Sequence, residues 1–436
     1  MGSYVSTTNK EENEMLDAIG VKSIDDLFKD VPEEVKIKGD LNLPEGLSEM
    51  EVKKFMEGIA SKNKVFSSIF RGAGAYNHYI PAIVNSVISK EEFVTAYTPY
   101  QAEISQGILQ SIFEYQTMIC NLTGMDVSNA SVYDGATAAA EALTMCRDRK
   151  HKKAYVSATT NPEVIETMKT YCMGSEMEVI TVPEKDGVTD IEFLKESLES
   201  EAACLYIQQP NFYGNIEDTE ELGKCIHDVG GKYIIGANPI SLAIMKTPRE
   251  YGADIAVGEG QPLGMPLSCG GPYLGFMACI ESMVRKLPGR IVGETTDSEG
   301  KRAFVLTLQA REQHIRREKA SSNICSNEAL CALTASVYLS AMGSEGIKEV
   351  ALQSMSKAKY MANRLSEVGQ KLKYNKEFFN EFVTVSERSC DIVLKALEDN
   401  GILGGYPLGD NEILWCCTEM NSKEDIDKVI EILKEV

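Results

Sequence analysis

The chain has 436 residues, a formal net charge of −21, and 43% hydrophobic and 25% charged residues. This composition is typical of a globular protein with a large core, and at roughly 150 residues per domain the length predicts two or three domains. The negative charge argues against nucleic acid or an anionic membrane as the main partner, because both require a basic face. No run reaches ~18 apolar residues and no apolar leader is present, so we predict no membrane span, no signal peptide and a cytoplasmic location.

The cysteines and histidines give no sign of a metal site or a disulfide framework. The 12 Cys are scattered without a C-x-x-C pair, and the 4 His lie in no metal-ligand spacing. We therefore predict free thiols in a reducing compartment and no metal.

The first part of the chain predicts short helices. Residues 9–19 carry acidic residues in a first turn, residues 23–28 begin another helical turn, and several Pro and Gly residues interrupt the segment. A longer helix is predicted over residues 103–122, because isoleucines recur at helical spacing, and Gly124 ends it.

Short apolar runs alternate with helix-forming segments between residues 130 and 280. The helices begin at cap residues such as Asn161, Asp190 and Asp218. Strands are predicted over residues 153–158, 179–182, 203–208, 233–236, 254–257 and 273–279. This alternation predicts a mostly parallel sheet with helices on both faces.

The end of the chain predicts a smaller α+β unit. Residues 326–370 are expected to be helical, followed by a helix near 386–399, a strand over 413–417 around the core residue Trp415, and a capped last helix. We therefore divide the chain into three parts: an N-terminal helical segment (1–65), a large α/β domain (66–325), and a helical connection with a small C-terminal α+β domain (326–436).

A glycine opens an alanine-rich helix near residue 135. The free N–H groups of its first turn, at Gly135, Ala136 and Thr137, could hold a phosphate. The alternative is an alanine-rich helix packed against the sheet, which the pattern alone favours. A glycine-rich loop at 258–272 likewise allows a ligand or a neighbouring subunit to approach, or is only a long turn.

Aromatic and polar side chains crowd the lead-in to the helix predicted from residue 103. They are Tyr97, Tyr100, Gln101 and Glu103, on a segment held by Pro99. Aromatic rings with hydrogen-bonding tips are typical of binding sites and interfaces. The alternative is that these residues only cap the helix and fill the turn, and the pattern leaves both readings open.

A cluster of cations lies in this otherwise acidic chain. Its members are Arg311, His314, Arg316, Arg317 and Lys319. Arginine forks suit a carboxylate, a phosphate or an acidic partner. The alternative is a solvated helix face in which neighbouring glutamates form ion pairs along the helix.

The order of these motifs resembles the alpha (first) subunit of two-subunit glycine decarboxylase, the P-protein of the glycine cleavage system. The resemblance runs over essentially the whole chain and rests on residues 72–78, 97–107, 129–141, 264–275, 288–290 and 311–325. It implies the type I fold of pyridoxal-phosphate-dependent transferases, an α/β fold with a mostly parallel seven-stranded sheet in the large domain. It also implies three partners: a beta subunit, lipoylated H-protein and glycine.

One departure from an ordinary enzyme of that fold decides the expected mechanism. Pyridoxal phosphate requires a lysine for its Schiff base and usually an acid opposite its ring nitrogen. Asn238 stands where the acid belongs, Gln261 follows where the lysine belongs, and no Lys occurs from Thr247 through Arg285. Neither an asparagine nor a glutamine can replace those groups. The resemblance implies that this lysine lies on the beta subunit, which shares the fold and would hold the cofactor covalently.

The resemblance implies a glycine dehydrogenase (aminomethyl-transferring). Glycine is decarboxylated on pyridoxal phosphate and its aminomethyl group passes to the lipoyl arm of H-protein. This chain is expected to complete the beta subunit's site through Tyr97, Tyr100, Gln101 and Glu103, with the cation cluster facing an anion or a partner and a vestigial phosphate site at residues 135–137.

Two alternatives remain: a regulatory or scaffold pseudoenzyme of the same fold, and an independent enzyme that uses Lys246 or Lys319. The polar clusters favour the enzyme subunit, because a scaffold gives no reason to bring costly polar groups near a cleft.

Overall fold

A computed structural model describes residues 6–39, 41–96, 98–324 and 326–435. The chain forms two compact units, of which the first ends at Lys64 and the second begins at Val65. Tyr97 lies outside the described residues, so its predicted role in a site has no structural counterpart here.

The first unit consists of short helices separated by turns. They are α1 (Asn9–Ile19), a 3₁₀ turn (Ile24–Phe28) and α2 (Glu49–Ala60). Both α-helices begin with a capping box, in which the hydroxyl of Thr8 or Ser48 accepts from the N–H three residues later and the glutamate there accepts in return. The short helices predicted for this segment are confirmed.

The second unit carries the sheets and the remaining helices. Its strands are β1 (Ser68–Ile69), β2 (Val127–Ser128), β3 (Lys153–Ser157), β4 (Glu178–Val182), β5 (Glu184–Lys185), β6 (Val188–Thr189), β7 (Ala202–Gln209), β8 (Lys232–Ala237), β9 (Ile255–Glu259), β10 (Gly275–Cys279), β11 (Ile291–Thr296), β12 (Arg302–Thr307), β13 (Gln370–Leu372), β14 (Glu381–Ser386), β15 (Ile402–Leu403), β16 (Tyr406–Pro407) and β17 (Glu412–Cys416). Its α-helices are α3 (Ala82–Ile88), α4 (Glu91–Val94), α5 (Gln106–Thr123), α6 (Gly135–Cys146), α7 (Pro162–Gly174), α8 (Ile191–Ser197), α9 (Thr219–Asp228), α10 (Gln313–Arg316), α11 (Ala329–Ser366), α12 (Cys390–Asp399) and α13 (Lys423–Glu435).

Within the described ranges, seven strands form the main sheet in the order β2–β10–β9–β8–β7–β3–β4. The pairs from β9 to β4 are parallel, whereas β10 runs antiparallel to both β9 and β2. Parallel neighbours require crossover helices, which α7 and α9 supply. The predicted mostly parallel seven-stranded sheet is confirmed, and the six predicted strands differ from the observed bounds by at most two residues.

Helices cover both faces of this sheet. Residues of α5, α9 and α11 pack on one face with Tyr115, Leu222 and Tyr338 in the core, and residues of α6 and α7 pack on the other with Leu143 and Met168. Because both faces are buried, the central strands read as nearly continuous apolar runs.

A smaller antiparallel sheet lies near the C-terminus, in the order β13–β14–β17–β16. It packs against α12, α13 and the second half of α11 around Trp415, which is fully buried and donates its indole N–H to the Thr384 hydroxyl at 2.8 Å. The predicted core position of Trp415 is confirmed. Both sheets belong to one compact unit, so the domain limits predicted at residues 65 and 325 stay predictions.

Three local predictions require correction. The helix predicted from residue 103 begins at Gln106, and residues 98–105 form turns that place Pro99 in the interior. The helix predicted near residue 386 begins at Cys390, because β14 continues to Ser386. Residues 309–319 are not one solvated helix but three short helical turns, broken where Arg317 adopts a positive φ of 53°.

The structure also bears on membrane spans, disulfides and metal sites. Among the helices in the described ranges, none combines the length and the apolar character that crossing a bilayer requires. The described cysteines are all free thiols and most are buried. In the same residues, no group of three His, Cys, Asp or Glu side chains is arranged to hold a metal ion.

Candidate functional site

A cavity of about 680 Å³ opens where the central parallel strands end. Strand β7 contributes Tyr206 and Gln208, β8 contributes its last residues, and β9 ends there at Glu259. The carboxyl ends of parallel strands meet at one edge of a sheet, and ligands of α/β folds bind at that edge. The remaining walls are residues 72–76, Tyr133–Ala136, residues 161–167, residues 270–273 and Glu328.

The cavity is acidic. Its lining includes Asp134, Glu163, Glu259 and Glu328, and none of the described lining residues is a lysine or an arginine. Burial raises the pKa of Glu259 to about 7, against three backbone hydrogen bonds that lower it. Burial, together with the nearby charge of Asp134, also raises the pKa of Glu328. The lining therefore offers no amine for a Schiff base and repels anions.

Glu259 is tied to the first turn of α6. Its Oε2 accepts from the N–H of Gly135 at 2.9 Å, and its Oε1 accepts from the N–H groups of Gln261 at 2.9 Å and Leu274 at 3.0 Å. A Cβ on Gly135 would lie 2.8 Å from the backbone nitrogen of Glu259, so this close approach requires glycine. The N–H of Thr137 donates to Asp134 Oδ1 at 2.7 Å. Carboxylates of this chain thus take two of the N–H groups that the sequence predicted could hold a phosphate.

Gln261 occupies the region where the resemblance places the lysine, and its side chain is buried. Its Oε1 accepts from the N–H of Tyr76 at 2.9 Å, while its Nε2 donates to the carbonyls of Tyr76 at 3.0 Å and Met265 at 2.7 Å. The amide therefore fastens the loop of residues 72–78, hereafter the Gly72 loop, beside the cavity.

A buried carboxylate from the small sheet holds the same loop. Glu381 accepts from the hydroxyl of Tyr76 and the N–H of Ala73, each at 2.7 Å. Burial raises the pKa of Glu381 to about 7. A Cβ on Gly72 would lie only 2.5 Å from Glu381 Oε1, so a larger residue there would displace the carboxylate that holds the loop. The Gly72 loop is thereby fixed between the main sheet and the small sheet.

These residues do not fit pyridoxal phosphate as a ligand of this chain. The cavity has no lysine among its described residues, and Glu259 holds the helix terminus that a phosphate would need. The side-chain oxygen of Asn238, at the end of β8, accepts from the N–H of Ile240 at 2.9 Å within its own turn. It supplies no carboxylate for a charged ring nitrogen.

Tyr100 lies apart from this cavity, in a network of its own. Its hydroxyl donates to Asn327 Oδ1 at 2.8 Å, and its ring lies 4.6 Å from the guanidinium of Arg290. Arg290 in turn pairs with buried Glu312 at 2.6 Å. Tyr100 therefore ties the turns before α5 to the start of α11.

The side chains of Gln101 and Glu103 are exposed on those turns. The structure places Tyr100, Gln101 and Glu103 on one segment, but it brings none of them to the cavity at Gly135.

The structure separates Arg311 from the other members of the predicted cation cluster. Its guanidinium donates to the carbonyls of Leu287 and, at 2.7 Å, of Gly289, and burial lowers its pKa. The guanidinium of Arg311 is thus engaged by backbone carbonyls of this chain. The side chains of His314, Arg316, Arg317 and Lys319 are exposed, with His314 3.5 Å from Glu312 and Arg316 donating to the Ala310 carbonyl at 3.0 Å.

Sequence reasoning missed Glu259 and Glu381 as site residues. A signal existed for Glu259, because it is the one acidic residue in the glycine-rich loop of residues 258–272 that follows a predicted strand. No local signal marks Glu381, which meets the Gly72 loop only through a contact between residues 305 positions apart.

Comparison with known proteins decides the family. A sequence profile described as "Glycine cleavage system P-protein" matches residues 2–433. The chain belongs to the P-protein family. It is 50% identical over 438 residues to "Probable glycine dehydrogenase (decarboxylating) subunit 1" of Carboxydothermus hydrogenoformans, and the match covers 99% of each chain.

Solved structures agree with this membership. A crystal structure of glycine decarboxylase (P-protein) of the glycine cleavage system, in inhibitor-bound form, matches with a TM-score of 0.94 and 41% identity over 100% of both chains. The sphingosine-1-phosphate lyase of Burkholderia pseudomallei matches with a TM-score of 0.68 at 13% identity, covering 93% of this chain and 94% of that one, which shows the fold alone. The P-protein chain thus has the type I fold of pyridoxal-phosphate enzymes, and the resemblance seen in its sequence is confirmed.

Proposed function

We propose that this chain is the alpha subunit of a glycine dehydrogenase (aminomethyl-transferring, decarboxylating). Glycine is decarboxylated on pyridoxal phosphate, and its aminomethyl group passes to the lipoyl arm of H-protein. The cofactor is held covalently by a beta subunit, and this chain completes that subunit's site. The observation that carries the proposal is a cavity at the strand ends of a type I fold whose described lining contains no lysine.

The relatives' name supports a two-subunit enzyme. A chain called subunit 1, matched over 99% of its length, implies a second subunit in the same complex. When it is bound by the beta subunit, pyridoxal phosphate would supply an electron sink for the loss of carbon dioxide. The cavity of this chain does not fit the cofactor. We therefore limit the contribution of this chain to binding and positioning the substrate and excluding water at the shared site.

Tyr97, Tyr100, Gln101 and Glu103 form the proposed contribution to the shared site. The amide of Gln101 and the carboxylate of Glu103 are exposed on turns that Tyr100 holds through Asn327 and Arg290. Exposed polar tips on an anchored segment can bond a ligand or a neighbouring subunit without first being ordered. The hydroxyl of Tyr100 already has a partner within this chain, so we assign Tyr100 a positioning role.

The exposed members of the cation cluster are the proposed docking residues. His314, Arg316, Arg317 and Lys319 concentrate positive charge on a chain whose net charge is −21. Such a patch speeds and orients the approach of an acidic partner or an anion. We propose that it faces the beta subunit or H-protein.

The test compares the chain alone, a beta subunit alone and both together, each with pyridoxal phosphate and lipoylated H-protein. Exchange of the glycine carboxyl group with labelled bicarbonate should require both chains. Borohydride treatment should attach the cofactor to the beta subunit and leave this chain unlabelled.

Two results would overturn the proposal. Cofactor trapped on Lys246 or Lys319 would make this chain an independent enzyme. Full exchange by the beta subunit alone would make it a regulatory or scaffold subunit.

A further inference from the structure

The N-terminus of α6 is occupied by a side chain of the same protein. Both oxygens of the Glu259 carboxylate are fixed by backbone N–H groups: Gly135 on one side, Gln261 and Leu274 on the other. The three donors belong to different segments, the start of α6, the loop after β9 and the residue before β10. Such a convergence of N–H groups at a helix N-terminus is the arrangement that binds phosphate oxygens.

We propose that Glu259 replaces a phosphate at the start of α6 and closes this chain's cavity to phosphate-bearing ligands. The carboxylate accepts the hydrogen bonds that a phosphate would accept. When it is ionised, Glu259 also adds negative charge to a lining that contains Asp134 and Glu328, and this charge repels a dianion.

Glu259 is a second obstacle to cofactor binding, separate from the missing lysine. Loss of a lysine removes only the covalent bond to a cofactor, whereas Glu259 removes the phosphate contacts that could bind the cofactor without it. Restoring a lysine at Gln261 would therefore not be enough to restore cofactor binding to this chain. The inference does not depend on the proposed reaction, because it concerns anion binding by this chain.

Removal of the side chain should create the anion site. In Glu259→Ala, the N–H groups of Gly135, Gln261 and Leu274 lose their acceptor while the helix terminus keeps its position. An inorganic phosphate ion can then satisfy them. The matched control is Glu163→Ala, which removes another carboxylate from the same cavity but leaves the start of α6 unchanged.

The experiment measures the thermal unfolding midpoint of the full-length chain as potassium phosphate replaces potassium chloride at constant ionic strength. We expect Glu259→Ala to show a saturable rise of at least about 2 °C in Tm. The native chain and Glu163→Ala should show none. Saturable phosphate binding by the native chain, or its absence in a folded Glu259→Ala, would overturn the proposal.

A second variant covers the case in which Glu259→Ala does not fold. Glu259→Ser keeps a hydroxyl that accepts one N–H and leaves room for a phosphate ion. Recovery of folded protein by phosphate, for either variant, supports the proposal. Failure of both variants to fold at any phosphate concentration contradicts it, because rescue by an anion is what a phosphate replacement requires.

Discussion

The bond between Tyr76 and Glu381 yields a prediction whose size depends on pH. Glu381 is buried, and burial raises its pKa from 4.5 to about 7. This rise means that the folded protein favours the protonated over the ionised carboxyl by about 3 kcal/mol more than the unfolded chain does. Because this pKa lies above the unfolded value, the stability that Glu381 contributes is complete below about pH 4.5 and is lost as the pH rises through about 7. The hydroxyl of Tyr76, 2.7 Å from the carboxylate, lowers this pKa and so limits the loss.

Tyr76→Phe removes that hydroxyl and leaves the carboxylate with one bond, from Ala73. At pH 8, where Glu381 is mostly ionised, we expect a loss of about 1.5–3 kcal/mol in the free energy of unfolding, the range for hydrogen bonds to charged groups. At pH 5.5 the carboxyl is neutral, and the loss should fall to about 0.5–1.5 kcal/mol. The native chain should itself be less stable at pH 8 than at pH 5.5 through this group.

The assay is urea unfolding at both pH values, followed by the fluorescence of Trp415. Trp415 is the only tryptophan, and it lies on β17, which pairs with the strand that carries Glu381. The control Tyr79→Phe alters an exposed tyrosine of the neighbouring segment and should change stability by less than about 0.5 kcal/mol. In a Glu381→Gln background, the pH dependence of the Tyr76→Phe loss should disappear. Equal losses at pH 5.5 and pH 8 would refute the assignment of a titrating carboxyl at this bond.

Other predictions concern the remaining contacts. Arg311→Lys should lower the free energy of unfolding by about 1–3 kcal/mol, because an ammonium cannot reach both carbonyls as the guanidinium does. The control Arg316→Ala alters an exposed side chain and should change this free energy by less than about 0.5 kcal/mol. Urea unfolding of both variants checks the prediction. Gln261→Ala should destabilise the chain by about 2–4 kcal/mol and expose the Gly72 loop to limited proteolysis, and a proteolysis pattern like that of the native chain would contradict this. Tyr100→Phe should lower kcat of the assembled complex about 2- to 10-fold without weakening assembly, as measured by kinetics on a complex verified by sizing; unchanged turnover would count against the positioning role.

Local patterns in the sequence were enough to predict most of the architecture. Strands and helices alternate with caps and glycine stops that act within a few residues, so the predicted strands agree with the observed ones to within two residues. The start of α6 at Gly135 and the absence of lysine from Thr247 through Arg285 are equally local facts. Together with the family motifs, they sufficed to predict the type I fold and a chain without the cofactor lysine.

Long-range contacts determine which partners the side chains of the candidate site have. Glu259 reaches Gly135 across 124 positions because β9 ends beside the start of α6, and no local pattern encodes that proximity. Arg311 was predicted to face an anion or a partner together with its neighbours, and in the structure its guanidinium donates to the carbonyls of Leu287 and Gly289. The helix predicted from residue 103 begins instead at Gln106, whose side-chain amide bonds both backbone groups of Phe304 on a distant strand. Side-chain direction depends on which backbone groups still need a partner after the sheets have assembled, and only the tertiary structure determines this.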